Sequence, residues 1–244
     1  QDILDKLRAV GITGGHDLEW KLLAQEMQVV SRLQVGDYSI RHGITPRDLL
    51  AKLESGKVIQ HRFTIVEGWS LRELRAALAR DEVLVKQVGD LDDQALMAAL
   101  DRPGQHPEGR FLPETYHYTR GMTDLDLLRR AALAMDKAVA DAWQTRAGGV
   151  PVESPEQLLT LASIIEKETG KAAERPEIAG VFARRLKLGM RLQTDPTVIY
   201  GMGSQYDGNI RRSDLTTDTP YNTYTRAGLP PTPIAMPGRA ALFA

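Results

Sequence analysis

The sequence predicts an α+β protein, with two small β–α units near the N-terminus followed by a mixed α/β domain. Three observations carry that expectation. A strand-turn-helix pattern occurs twice; long stretches show the apolar period of amphipathic helices; and the chain from Asp207 onward is irregular yet carries apolar and aromatic side chains throughout. The 244 residues include 31 Lys plus Arg against 32 Asp plus Glu, 42% hydrophobic residues and no cysteine. That composition excludes disorder, collagen and disulfide scaffolds, and it removes thiolate metal sites and cysteine nucleophiles. A net charge of −1 gives no electrostatic reason to expect nucleic-acid binding. No apolar run is long enough to span a bilayer, and the chain opens in a helical pattern without a signal sequence, so it is expected to be trimmed at one or both ends.

Taken in order, Ile3 to Val10 and Leu18 to Leu33 read as helices, the second amphipathic through Leu22, Leu23, Met27 and Val30. The repeat follows: YSIRHGITPRDLLAKL (38–53) against FTIVEGWSLRELRAAL (63–78), with six of sixteen positions identical. In each copy an aromatic and β-branched stretch suits a strand, and Gly43 or Gly68 supplies a turn. Thr45 with Asp48, and Ser70 with Glu73, look like helix N-caps. Glu82 to Leu100 reads as helical with a break at Gly89, and DRPGQHPEGR (101–110) is the expected domain boundary, dividing 1–100 from 101–244. Asp124 to Trp143 and Pro155 to Thr169 read as helices, the latter opened by a capping box at Ser154 to Gln157; Pro176 to Leu188 is another, stopped at Gly189. GMRLQTDPTVIYG (189–201) is expected to be extended, and the chain from Asp207, including TPYNTYTRAGLPPTPIAMPG (219–238), reads either as a disordered tail or as an ordered, irregular cleft lining, its spaced apolar and aromatic residues speaking for the latter.

The chemistry concentrates at the end of the Pro155 helix, in Glu166-Lys167-Glu168. On a helical wheel Leu158, Leu161, Ala162 and Ile165 form an apolar face; Glu166 and Glu168 fall about 90° and about 70° from its centre on opposite sides. Such acids sit near the negative end of the helix dipole, half-buried, where the protonated form is favoured. A protonated carboxyl is what general-acid cleavage of a glycosidic bond requires. A solvated surface turn is the other reading of the same pattern. Gln193, Asp195, Thr197, Tyr200, Asn222 and Tyr224 add amides, hydroxyls and rings suited to a sugar, whose hydroxyls need partners and whose faces stack on aromatics.

LASIIEKET (161–169), VFARRLKLGMRLQTDPTVIYG (181–201), YNTYTRAGLPPTPIAMPG (221–238) and EGRFLPETYHY (108–118) together resemble the endolytic murein transglycosylase, or YceG-like, family. The resemblance implies LysM-like modules in residues 1–100, on which the repeat bears, and a catalytic domain in 101–244. It implies an enzyme that cleaves peptidoglycan glycan strands between N-acetylmuramic acid and N-acetylglucosamine without water, leaving 1,6-anhydromuramoyl ends. It assigns catalysis to the second acid of the motif, Glu168, and implies no metal and no organic cofactor. It also implies single-pass anchoring in the bacterial inner membrane through a segment this chain lacks, a periplasmic catalytic part, and penicillin-binding synthases as partners. The chain is expected to stop before the family's C-terminal segment, and Met236 stands where Asn or Thr is more usual. Two rival readings remain: a hydrolytic muramidase with Asp195 or Asp218 as second carboxylate, and a non-catalytic peptidoglycan-binding scaffold.

Overall fold

The computed structural model describes residues 2–9, 11–12, 15–34 and 36–244. Its fold is α+β, mostly helical with one two-stranded sheet among the described residues. No described helix is long and apolar enough to cross a membrane. The chain divides into two compact units: Gln1–His61 with Thr119–Gly121, and Arg62–Tyr118 with Met122–Ala244.

The first unit contains α1 (Asp2–Ala9), α2 (Asp17–Glu26) and α3 (Pro46–Ser55). Val10, the expected end of the first helix, lies outside the described residues. Leu7, Trp20, Ala24, Val29, Leu49, Leu50 and Leu53 form its core. α2 is shorter than its apolar period suggests. Gln28 takes a left-handed φ of 56°, which turns the chain and lets Val29 donate to the Ala24 carbonyl. The buried face is therefore Trp20 and Ala24, while Leu22 and Val30 are exposed. α3 begins as expected, with Thr45 accepting from the Asp48 amide at 3.1 Å. The segment before it is not a strand: Tyr38 instead donates its hydroxyl to the Gln34 and Leu53 carbonyls at 2.9 and 3.2 Å.

The second repeat copy keeps its strand. β1 (His61–Thr64) pairs with β2 (Thr115–Tyr118), with Thr64 opposite Thr115 and the Ile65 amide donating to Glu114. α4 (Leu71–Arg80) follows, capped by Ser70 and Glu73 in a reciprocal box. Phe63, Ile65, Leu71, Leu74 and Leu78 all enter the core of the second unit, beside Phe111, Leu127, Leu128 and Met236. This is why the compact units divide at His61 and not within 101–110: the second copy supplies apolar surface that the later helices need covered. The 101–110 segment ends inside that unit, with Glu108 and Gly109 buried.

Only Asp93–Ala99 of the expected 82–100 helix is helical; it forms α5. The preceding stretch is held open by Asp124, whose carboxylate accepts from the Gln87 and Val88 amides at 2.8 and 3.4 Å. α6 (Asp124–Thr145), α7 (Pro155–Glu168), α8 (Arg175–Lys187) and the short α11 (Arg239–Leu242) pack around a second cluster built on Leu159, Ile164, Phe182 and Leu192. Between α8 and α11 lie α9 (Asp195–Met202) and α10 (Arg212–Thr216) in otherwise irregular chain. Residues 190–194 form no strand and are turned by left-handed Gly189 and Gln193 (φ 67° and 53°), and Pro196 in the first turn starts a helix where extended chain is expected.

Candidate active site

α7 carries the candidate acids. Ser154 caps it by accepting from the Gln157 amide at 3.2 Å, while the Gln157 side chain reaches back to the Glu153 amide instead of Ser154. From Leu158 to Glu166 every side chain is buried, so α7 is enclosed on all sides, not only along the wheel's apolar face. The two acids are consequently unlike. Glu166 is buried, accepting from Arg175 at 3.0 Å and from the Gly238 amide at 2.8 Å. Arg175, itself buried, also reaches Glu67 at 3.4 Å. A Cβ at Gly238 would lie 2.0 Å from a Glu67 carboxylate oxygen, so any side chain there would push the half-exposed Glu67 side chain away from Arg175. Glu168 is exposed, and its Oε2 accepts from the Thr194 hydroxyl at 2.7 Å. The wheel's half-buried placement thus holds for neither acid: one is a structural ion pair and the other is presented to solvent.

Two irregular segments meet at Glu168. The Gln193 amide donates to the Thr223 carbonyl at 3.1 Å and the Thr194 amide to the Thr223 hydroxyl, also at 3.1 Å. Gln193 holds φ at 53°, an uncommon conformation for a residue with a side chain, so that Thr194 turns inward toward α7. Arg185 donates to the Leu192 carbonyl at 2.6 Å and Arg191 to the Tyr224 carbonyl at 3.0 Å, fastening both segments to the end of α8. The Tyr224 hydroxyl donates to Asp195 at 2.5 Å. Burial, the bond to Asp195, and the negative charges of Asp195 and Glu168 push the Tyr224 phenol up to about 12, so it stays a proton donor. Glu168, Thr194, Asp195 and Tyr224 are therefore one cluster, with Gln193 exposed at its edge.

Two expected sugar contacts sit elsewhere. Thr197 is fully buried, its hydroxyl donating to the Thr194 carbonyl and paired with Thr223 at 2.8 Å. Asn222 is buried, its amide nitrogen donating to the carbonyls of Asp214, Leu215 and Thr217 and its oxygen accepting from the Tyr224 amide. Both hold the site's framework and present nothing to a ligand. Asp218 is exposed and paired with Arg226 at 2.8 Å; that bond and one from Thr225 hold its carboxyl down to about 2, which leaves no proton to donate near neutrality. Thr194, the one side chain among the described residues that is hydrogen-bonded to Glu168, is a residue the sequence expectation omits, although it lies between two of the expected positions.

Tyr200 lies on a neighbouring cleft of about 800 Å³, which also reaches Lys167 and Pro196, the chain neighbours of Glu168 and Asp195. Its ring meets that of Tyr221 edge-on at 4.8 Å, and its hydroxyl donates to Glu108 at 3.2 Å. Glu108 lines the same cleft and is only 3% exposed. Its other oxygen accepts from the amide of Leu71, at the N-terminus of α4, at 2.9 Å. Burial pushes Glu108 up to about 7, against the lowering effect of these two bonds. Nothing local in the sequence marks this residue; it sits in a stretch whose prolines and glycines read as a linker.

The second unit is thus an α+β body that mounts an exposed carboxyl on the end of an enclosed helix, beside a polar and aromatic cleft. The YceG-like family profile matches residues 1–244, and the chain belongs to that family. It is 33% identical over 228 residues to the endolytic murein transglycosylase of Bacillus subtilis (strain 168), covering 86% of this chain and 63% of the relative. The endolytic murein transglycosylase of Streptococcus pneumoniae serotype 2 (strain D39 / NCTC 7466) is 28% identical over 243 residues, covering 86% of this chain and 44% of the relative. The chain thus spans less than two thirds of the length of either. A crystal structure of a YceG-like protein from Listeria monocytogenes superposes with a TM-score of 0.61 at 26% identity, covering 93% of this chain and 80% of that one.

Proposed function

We propose that the chain is the catalytic part of a lytic transglycosylase that cleaves peptidoglycan glycan strands internally between N-acetylmuramic acid and N-acetylglucosamine. The observation that carries this reading is the contrast within one helical turn: Glu166 is consumed by Arg175 and Gly238, while Glu168 is exposed and accepts a hydrogen bond from Thr194. In its protonated form Glu168 gives its proton to the glycosidic oxygen as the bond to C1 breaks. As the carboxylate it then takes the proton of the muramoyl C6 hydroxyl, whose oxygen closes on C1 to form the 1,6-anhydro ring. The nucleophile belongs to the substrate, so no second carboxylate is needed, and its proximity replaces the capture of a water molecule. Asp195, with Tyr224 donating to it, supplies negative charge near the oxocarbenium-like sugar, and Gln193 and Tyr200 offer polar contacts along the strand.

Family membership, and two relatives that are endolytic murein transglycosylases, support this reading over hydrolysis or a purely binding role. The same reading takes the N-terminal unit, which ends at His61, as a LysM-like glycan-binding module, and sets the protein at the periplasmic side of the inner membrane, alongside penicillin-binding synthases. The test is mass spectrometry of products from purified glycan strands. The wild type should release anhydro-ended fragments and Glu168→Gln none, with at least a 100-fold loss of rate, consistent with removal of a general acid. Reducing ends would establish a muramidase instead; unchanged activity in Glu168→Gln would remove Glu168 from the chemistry.

A further inference from the structure

Glu108 is a buried carboxyl that the proposed reaction does not use, placed where it touches a residue that does face the cleft. The Tyr200 hydroxyl has one proton and two lone pairs, and what it can offer a ligand depends on where that proton goes. When Glu108 is ionised, the phenol donates to its Oε2 and presents only lone pairs to the cleft. When Glu108 is neutral with its proton on Oε2, the carboxyl donates to the phenol oxygen and the phenol proton is released. Thr232 is hydrogen-bonded to the same phenol and lowers its pKa, the effect of a hydroxyl that donates to the phenol oxygen, while the Tyr221 hydroxyl at 2.8 Å donates to Thr232 in turn; Thr232 therefore does not take up the released proton. The released proton therefore faces the cleft.

We propose that Glu108 is a positioning residue that sets the hydrogen-bond polarity of Tyr200, making it a donor toward the cleft when the carboxyl is neutral and an acceptor when it is ionised. The ligand group that distinguishes the two states is a carbonyl oxygen, which accepts only; the acetamido carbonyl of an N-acetylhexosamine has this chemistry. The inference rests on the glycan reading above and deepens it. The change falls near neutral pH, since burial holds Glu108 at about 7.

Other charged groups around Glu108 are accounted for. On α4, Arg72, Glu73 and Arg75 line the cleft, as does Lys167 from α7. Asp93 of α5 lines it too, and its negative charge adds to the upward push on Glu108. On its own segment, Arg110 is paired with Glu156, and His106 accepts from the Glu108 amide through Nδ1. His106 is held below its usual 6.5 by burial, so it titrates on the acid side of Glu108. Tyr200 itself is pushed well above the usual phenol range, first by burial, and stays protonated.

The test is the affinity of an N-acetylglucosamine tetramer, by titration calorimetry from about pH 5.5 to about pH 8.5, in a Glu168→Gln background so that turnover does not consume the probe. Binding should weaken roughly fivefold across this range, the effect of one neutral hydrogen bond. Adding Glu108→Gln should give a flat profile at the tight, acid-side value, because the amide NH₂ donates permanently to Tyr200 while its carbonyl keeps the Leu71 bond. Adding Tyr200→Phe should give a flat profile at the weak value. His106 is present in every variant, so its own titration cannot produce the difference. Parallel profiles with and without Glu108→Gln, a retained pH slope in Tyr200→Phe, or no binding at any pH would each overturn the proposal. Failure of the cleavage reading is registered separately, by the products of the wild-type enzyme.

Discussion

Glu166 and Glu168 stand two residues apart on the same turn and have opposite physical fates. Glu166 is a buried charge compensated by Arg175 and by the Gly238 amide. Removing one partner of such a pair strands the other. Glu166→Gln should therefore cost about 3 to 5 kcal/mol of stability in urea unfolding, whereas exposed Glu168→Gln should stay within about 0.5 kcal/mol of wild type. Inactivity of the two variants would then have different causes, which the unfolding curves separate. Glu108 contributes at the same scale. Its folded value is raised from 4.5 to about 7, so the folded state keeps a proton that the unfolded chain releases over that interval. Stability should accordingly fall as pH rises from about 4.5 to about 7, by up to about 3 kcal/mol, and level off above. Glu108→Gln should lack that decline when stability is measured against pH.

At the scale of elements, local signals were legible and tertiary ones were not. The caps at Thr45, Ser70 and Ser154 each accept an amide three residues on, because capping is a short-range bond between residues the sequence sets side by side. The N-terminus of α9 carried a readable signal in Pro196, which extended-chain reasoning passed over. In contrast, the end of α2 depends on a left-handed Gln28, and the lost strand before α3 on where the Tyr38 hydroxyl finds acceptors; neither has a compositional signature. Within the candidate site, the motif points to Glu168 while the wheel does not separate it from Glu166, and the burial of Thr197 and Asn222 and the reach of Glu108 to Tyr200 depend on chain brought together from far apart in sequence. Gly109 illustrates that dependence. It has φ of 79°, and a Cβ there would lie 2.5 Å from the Pro233 side chain. Gly109→Ala should lose about 2 kcal/mol or more in thermal or urea unfolding, by strain and by displacing the loop that backs the cleft.

At the scale of the whole molecule, the division at His61 changes what a minimal catalytic piece contains. A chain cut at residue 101, the boundary suggested by prolines and glycines, would lose Phe63, Ile65, Leu71, Leu74 and Leu78 from the second unit's core. At about 1.5 to 3 kcal/mol per buried large apolar side chain, that loss is comparable to the entire stability of a domain. A protein comprising 62–244 should give a cooperative thermal transition by circular dichroism, and one comprising 101–244 should not.

The arrangement at the end of α7 also alters what a motif match is worth. Glu-Lys-Glu reads as a reagent with a spacer, but the structure makes its first acid a mounting bolt, secured through Arg175 and the amide of Gly238, and on the proposed reading only its second is the tool. Another chain that kept the tool but lost Glu166 or the arginine would retain the proposed reactive group without the fixture that aims it. Scoring these three positions as one unit would distinguish working copies from decayed ones more sharply than the presence of Glu168 alone.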